Sequence, residues 1–288
     1  MLLVGASGQV GQACARAFAA AGWEVVGTRH ASASPELRSL DLADEPALRA
    51  AVREVAPSVC VVAAGMTNVE RCEAEPALAE ALNARAPAVL ASACAAVGAR
   101  PVYLSTEYLF DGTAGPYREE DPPHPISAYG RSKRAGEQAV LAAPGGLSVR
   151  TTVVYSWQPG GMNFVMQLLA TLGAGRRMRV PADQRSSPTY APDLGEAIRL
   201  LVEAGATGPV NAVGPEVLDR HAFALLAARV LGLDASLLDP VETAALGQRA
   251  ARPLRAGLRI ERLLRLVGPV MRPPAEGLAE VARLAGRR

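Results

Sequence analysis

Aromatic residues make up only 4% of this 288-residue chain, and 30 Lys and Arg against 28 Asp and Glu leave a net charge of +2. With neither a strong positive field nor a supply of stacking rings, nucleic acid is excluded as a partner. Also missing is an uninterrupted apolar run of about eighteen residues, the length a membrane-spanning helix needs. The opening Met1-Leu2-Leu3-Val4-Gly5 already reads as a strand and lacks the charged start and cleavage site of a secretory leader, so a soluble, cytoplasmic protein is expected. His30, His124 and His221 lie far apart, with no carboxylate or cysteine at ligand spacing, and no metal site is expected. Cys14, Cys60, Cys72 and Cys94 follow no zinc or disulfide spacing and read as reduced packing residues. The scarcest charged residue is lysine: Lys133 stands alone, and every other basic residue is arginine.

What is abundant is apolar, at 50% of the residues, and alternates between strand and helix signals. Strands are expected at Leu2 to Gly5, Glu24 to Gly27, Val59 to Ala63, Pro101 to Ser105 and Leu147 to Val154, with a short one before Asp41. Helices are expected at Gln9 to Ala21, Asp44 to Val55, Glu75 to Val97 with a kink at Pro87, and Tyr129 to Leu141. Such alternation implies right-handed βαβ crossovers and an α/β fold, a Rossmann-type doubly wound parallel sheet. Residues 1–154 read as a dinucleotide-binding domain. Residues 155–288, with two further helical stretches and Pro-rich joints, read as a smaller C-terminal substrate-binding lobe interleaved with the last elements of the sheet.

Gly5-Ala6-Ser7-Gly8-Gln9-Val10-Gly11 lies between the first strand and the first helix. There the missing side chains let a pyrophosphate approach the backbone, facing the positive end of the helix dipole. About twenty residues beyond such glycines an acidic residue usually holds the adenosine ribose. This chain has Thr28-Arg29-His30 instead, and Arg29 suits a 2′-phosphate, so NADPH is expected ahead of NADH. Asp41-Leu42 is placed to address the adenine, and Ala63-Ala64-Gly65 offers a strand end of small residues for the cofactor to lie against.

Tyr129-Gly130-Arg131-Ser132-Lys133 sets a phenol and an ammonium one turn apart on one helix face. A phenol with an ordinary pKa of about 10 shuttles protons poorly at neutral pH unless a cation favours its anion. Lysine, a compact charge with three donors, suits that task and also reaches a nicotinamide ribose. This accounts for the position of the single lysine. Ser105-Thr106-Glu107 ends the preceding strand, at the edge where parallel sheets bind ligands. The Thr106 hydroxyl is the candidate donor to a substrate carbonyl, with Ser105 as its alternate and Glu107 beside the substrate. The turn-rich stretch from Asp111 to Glu120 is expected to shape the pocket rim.

Together these residues resemble the extended short-chain dehydrogenases and, within them, the dTDP-4-dehydrorhamnose reductase group, over almost the full length. Ser105-Thr106-Glu107-Tyr108-Leu109-Phe110-Asp111-Gly112-Thr113 is similar to that group's Ser-Thr-Asp-Tyr-Val-Phe-x-Gly-Thr, and Tyr129 to Glu137 to its Tyr-Gly-x-x-Lys-x-x-Gly-Glu. Asp183-Gln184 with Ser187-Pro188-Thr189 resembles a loop of its second half. The resemblance implies NADPH-dependent reduction of a 4-keto group on a nucleotide-linked deoxysugar, by a homodimer. Tyr129 protonates the forming alkoxide, Lys133 tunes Tyr129 and holds the ribose, and Thr106 orients the carbonyl. Three positions depart from the pattern. Glu107 replaces aspartate, Ser186 stands where glycine is common, and Val153 occupies the place of a tryptophan that Trp157 is a candidate to replace. Two other readings share the motifs: a nucleotide-sugar epimerase or dehydratase, and a non-catalytic NADP-binding partner similar to the regulatory β subunit of methionine adenosyltransferase.

Overall fold

The computed structural model describes residues 1–30 and 34–286 of the chain. Seven parallel strands form the central sheet: β1 (Leu2–Val4), β2 (Val26–Arg29), β3 (Arg38–Ser39), β4 (Val59–Val62), β5 (Arg100–Thr106), β6 (Leu147–Thr151) and, much later in the chain, Gly208–Asn211. From β1 the chain runs outward through β2 to β3. It then crosses to β4 on the other side of β1 and proceeds through β5 and β6 to the late strand. The reversal between β1 and β4 opens a crevice at their carboxyl ends, the place where doubly wound sheets bind ligands.

Both faces are covered, so the inner strands are apolar throughout rather than alternating. On one face α1 (Gln9–Ala20) packs with a later helix, Ala191–Glu203, around Phe18, Leu194, Ile198 and Leu201. The opposite face carries α2 (Glu45–Val55) and a helical run built from α3 (Val69–Ala74), α4 (Pro76–Glu80), a π-helical turn at Ala81–Arg85 and α5 (Ala86–Ala96). Next to it lies α6 (Ala128–Leu141), with Leu48, Val52, Leu90 and Tyr103 buried between helices and sheet. Asp44 caps α2 by accepting from the Ala47 N–H at 3.0 Å, and Ser127 caps α6 by accepting from the Gly130 N–H at 3.1 Å.

Beyond β6 the chain forms β7 (Val154–Tyr155), α7 (Phe164–Leu172), β8 (Met178–Pro181), β9 (Arg185–Ser186), β10 (Thr189–Tyr190), α8 (the Ala191–Glu203 helix) and β11 (the seventh sheet strand). Then follow β12 (Leu218–Asp219), α9 (Arg220–Val230), β13 (Leu238–Val241), α10 (Glu261–Val267) and α11 (Pro274–Leu284). A separate core joins Tyr155, Val165, Leu168, Phe223 and Leu278.

Three elements depart from the sequence expectation by more than a single residue, and the second half differs in its number of helices. The second strand starts two residues later, because Trp23 folds back edge-on to Phe18 (centroids 5.3 Å apart) and pairing begins only at Leu2 with Val26. The helix expected from Glu75 to Val97 is composite. Pro87 has no N–H for the Asn83 carbonyl, which accepts instead from the Tyr103 hydroxyl at 2.7 Å, and the backbone widens into a π turn. The strand expected to reach Val154 breaks at Val153, whose φ of 43° turns the chain out of the sheet. The second half holds five α-helices among the described residues, where two were expected.

Candidate active site

The carboxyl ends of β1, β4 and β5 open onto a cleft of about 940 Å³. Gly5, Gly8, Gln9 and Val10 line it at one end, with Arg29, Asp41 and Leu42 beside them. Ala63, Ala64 and Gly65 form the middle, and Thr106, Tyr129 and Lys133 line the far end. Gly11 does not reach the cleft. It lies buried in the turn, where a Cβ would stand 2.0 Å from the Gly5 carbonyl oxygen. Gly5 itself has φ +90°, and a Cβ there would meet Ala64 at 2.8 Å. The bend therefore excludes side chains at both positions and leaves backbone N–H groups at the start of α1 facing the cleft, a cradle that fits a dinucleotide pyrophosphate.

Arg29 sits at the end of β2, and its Nε donates to the Ser34 carbonyl at 2.9 Å. No carboxylate among the described residues pairs with its guanidinium. Asp41 is half exposed, accepts from the Ala43 N–H at 2.9 Å and lies 3.9 Å from His30. Among the described residues that line the cleft it is the single carboxylate, whereas Arg29, Arg71 and Arg220 are cations, so the cleft favours anionic ligands.

At the far end, Tyr129 and Lys133 project from one face of α6 and are buried. Burial pushes the Tyr129 phenol above its ordinary pKa, and the neighbouring Thr106 hydroxyl pulls it part of the way back. The Tyr108 ring packs edge-on against it, centroids 5.4 Å apart. Burial also pushes Lys133 down, to about 7. Its Nζ donates to the Leu104 carbonyl at 2.5 Å and lies 4.0 Å from the centre of the Tyr103 ring. In this arrangement Lys133 is aimed at the β5 backbone and the Tyr103 ring. Thr106 ends β5 in extended backbone, its hydroxyl accepting from the Tyr108 N–H at 3.2 Å. Ser105 also lines the cleft, although its hydroxyl is enclosed without a protein partner.

Three other expectations change. Glu107 is not beside the cleft but behind it: only 2% exposed, it receives the hydroxyls of Thr152 and Ser186 and the N–H of Gly257. Its side chain alternates away from that of Thr106 along the strand end, as period two requires. Val153 lines the cleft, while Trp157 lines a smaller neighbouring cavity and packs on the second-half core. None of the Asp111-to-Glu120 stretch lines the cleft. Within that mostly exposed or half-buried stretch Tyr117 turns inward, stacked on Phe110 at 4.2 Å and donating to Asp111 at 2.7 Å.

The cleft thus joins a phosphate cradle to a buried Tyr, Lys and Thr cluster across the switch point of one parallel sheet. A family model described as "RmlD substrate binding domain" matches residues 1–285. The chain belongs to this family.

Relatives of this RmlD-family chain carry names in keeping with the cleft. It is 39% identical over 222 residues to a "dTDP-4-dehydrorhamnose reductase" of Streptomyces griseus, covering 74% of this chain and 72% of the relative. It is 31% identical over 252 residues to "Methionine adenosyltransferase 2 subunit beta" of Xenopus laevis, covering 83% and 74%. Among solved structures, a dTDP-4-dehydrorhamnose reductase from Bacillus anthracis in complex with NADP superposes with a TM-score of 0.87, at 31% identity, covering 97% of each chain.

Two residues, one behind the cleft of this RmlD-family chain and one lining it, carry no signal in the motifs above. Asn83, fully buried, receives the Met66 N–H at 2.8 Å and donates to the Met66 carbonyl at 2.9 Å and the Ser132 hydroxyl at 3.1 Å. It thereby ties the segment after β4 to the turn of α6 between Tyr129 and Lys133; its position four residues before Pro87 was the available signal. Arg220, at the start of α9, enters the cleft from the second half with its guanidinium 5.1 Å from the Phe164 ring and no ion-pair partner among the described residues. Nothing local distinguishes it from the other arginines.

Proposed function

We propose that this chain reduces a 4-keto group on a nucleotide-linked deoxysugar, using NADPH held along the cleft. The observation that carries the proposal is that Thr106, Tyr129 and Lys133 converge at one end of a cleft whose other end is the Gly5–Gly11 cradle. Gly5, Gly8, Gln9 and Val10 take the pyrophosphate against the α1 N-terminus, and Gly11 lets that turn close. Arg29 takes the 2′-phosphate, Asp41 and Leu42 border the adenine, and Ala63, Ala64 and Gly65 form the wall behind the cofactor. When bound, NADPH supplies the hydride.

Thr106 donates a hydrogen bond to the ketone oxygen, polarising the carbonyl and fixing its plane. Tyr129 donates its proton to that oxygen as negative charge develops there, so that carbonyl, hydride and proton together give the alcohol. A phenol pushed up by burial stays protonated before the reaction, as an acid must. Lys133 holds the nicotinamide ribose with the Nζ donors not taken by Leu104, and its charge offsets that of the tyrosinate left behind. Arg220, unpaired at the second-half wall, faces the diphosphate of the substrate.

A dehydratase needs carboxylates at the reacting carbon, and the catalytic end of the cleft has none: Tyr108 follows Glu107 and packs on Tyr129. The likeness to the adenosyltransferase β subunit favours a second reading, an NADP-binding partner that turns over no sugar. Loss of NADPH absorbance on mixing with nucleotide-linked 4-keto-6-deoxy sugars tests the reductase directly. Turnover establishes it, and NADPH binding without turnover across the panel selects the partner reading. Tyr129→Phe is expected to lower kcat by about a hundred-fold or more while leaving NADPH binding unchanged.

Residues 1–154 serve as the cofactor half and 155–288 as the substrate half, with α8 and β11 returned to the first. The separate core around Phe223 and Leu278 supports that division. No described helix is long and apolar enough to cross a membrane. Work in the cytoplasm as a homodimer completes the reading, the dimer resting on the resemblance and checked by light scattering of the purified protein.

A further inference from the structure

We infer that Glu107 is a positioning residue for the reductase reaction, a buried carboxylate that holds the catalytic wall of the cleft in place from behind. The inference rests on the reductase reading above. Glu107 directly follows Thr106 in the chain. Its Oε1 accepts from the Thr152 hydroxyl at 2.5 Å and the Ser186 hydroxyl at 2.7 Å, and its Oε2 accepts from the Gly257 N–H at 2.9 Å.

The three donors come from three segments, the corner after β6, strand β9 and the turn at Gly257; backbone hydrogen bonds from Ala256 to Arg185 and from Thr189 to Val153 join the same segments nearby, and Glu107 touches all three. Gly257 has φ +95°, in the left-handed region, which aims its N–H inward. Every contact asks the carboxyl to accept, the pattern of an ionised group. Burial, the largest influence, raises its pKa above the ordinary carboxylate value, while the three hydrogen bonds and the charge of Arg220 act in the opposite direction. No cation pairs with Glu107 within 4 Å among the described residues. A buried carboxylate without an ion-pair partner costs stability that an apolar side chain of the same volume does not, so packing alone gives no reason for it.

What the carboxylate holds explains its place. Thr106, Thr152 and Val153 all line the cleft, and Glu107 is bonded to the chain at the first and to the side chain of the second. Val153 follows at once with its strained φ of 43°, a conformation that a β-branched residue keeps only when its surroundings impose it. One carboxyl group behind the wall therefore sets the Thr106 hydroxyl and the Thr152–Val153 corner relative to each other. Ser186 and Glu107, two of the positions that depart from the family pattern, touch each other, and the longer acid reaches a hydroxyl that glycine lacks.

The test is a double-mutant cycle on the full-length protein with Glu107→Gln, Ser186→Ala, Thr152→Val and the Glu107→Gln/Ser186→Ala pair. Steady-state turnover of the 4-keto sugar nucleotide, NADPH affinity by fluorescence, and melting temperature are measured for each. Glu107→Gln is expected to lower kcat about ten-fold or more with NADPH affinity within about two-fold of wild type, Ser186→Ala and Thr152→Val about three-fold each. The double variant should be no slower than Glu107→Gln alone, since both act through one contact. Wild-type kcat in the folded Glu107→Gln protein, or losses that multiply in the double variant, overturns the inference. If Glu107→Gln does not fold, the hydroxyl variants decide: wild-type kcat in both overturns it. A wild-type protein that oxidises no NADPH with any sugar in the panel overturns the reductase reading instead, and the positioning role falls with it.

Discussion

Lys133 shows how far one side chain can be displaced from its solution chemistry. Burial lowers its pKa to about 7 from 10.5, so the charged form is penalised in the folded protein. The penalty is full below pH 7, where Lys133 is protonated in both states, and is relieved as pH rises toward 10.5, because only the unfolded chain then keeps its proton. Lys133→Met should therefore gain melting temperature relative to wild type most at pH 6, and the difference should shrink steadily toward pH 10. A pH-independent difference in calorimetry refutes the shift. The role proposed for Arg29 bears on selectivity rather than stability. Arg29→Ser is expected to weaken NADPH about ten-fold or more and leave NADH within about two-fold, measured by fluorescence titration, because only the 2′-phosphate needs the guanidinium.

The elements are held where those residues need them by a few buried polar ties. Helix α6 carries Tyr129 and Lys133, and its far end is anchored to β6 through Glu137. That carboxylate accepts from Arg150 at 2.7 Å and from the Ser148 hydroxyl at 2.6 Å, both ions being almost fully buried. Arg150 also donates to the Glu119 carbonyl at 3.1 Å. Removing one partner leaves an uncompensated buried charge, so Glu137→Ala should cost about 3–5 kcal/mol in urea unfolding. One residue before Glu137 the same helix comes close to its neighbour: a Cβ at Gly136 would stand 2.0 Å from the Asn83 carbonyl, the oxygen that Pro87 releases to Tyr103. The Pro87 kink was legible as proline chemistry, but its use was not. Whether a freed carbonyl meets water or a tyrosine depends on what the fold brings beside it.

At the scale of the whole molecule, the second half of the chain returns to brace the first. Helix α8 lies on α1 so closely that a Cβ at Gly195 would sit 2.6 Å from the Ala13 carbonyl carbon. Helix α1 begins in the glycine cradle, so spacing at this contact transmits to the cofactor end. Gly195→Ala is expected to lose about 1–3 kcal/mol of stability and to weaken NADPH binding as α1 is pushed outward. Unchanged binding in a destabilised protein would separate the two effects. Glu107, Ser186 and Gly257 make the corresponding tie at the catalytic end.

The sequence by itself determined the doubly wound sheet, because alternating apolar strands and amphipathic helices with short joints leave few other ways to bury both surfaces. It also determined the glycine turn, the Tyr129 and Lys133 pair and Thr106, since spacing within one element needs no knowledge of the others. Tertiary structure alone decided that Glu107 faces inward, that Arg220 arrives unpaired from the second half and that Lys133 is aimed at Leu104. It also decided that Trp157 serves a different cavity and Asn83 joins two segments. Each of those depends on which residues, distant in the chain, come within a few ångströms, and on the burial that follows. Short-range pattern carries no record of either.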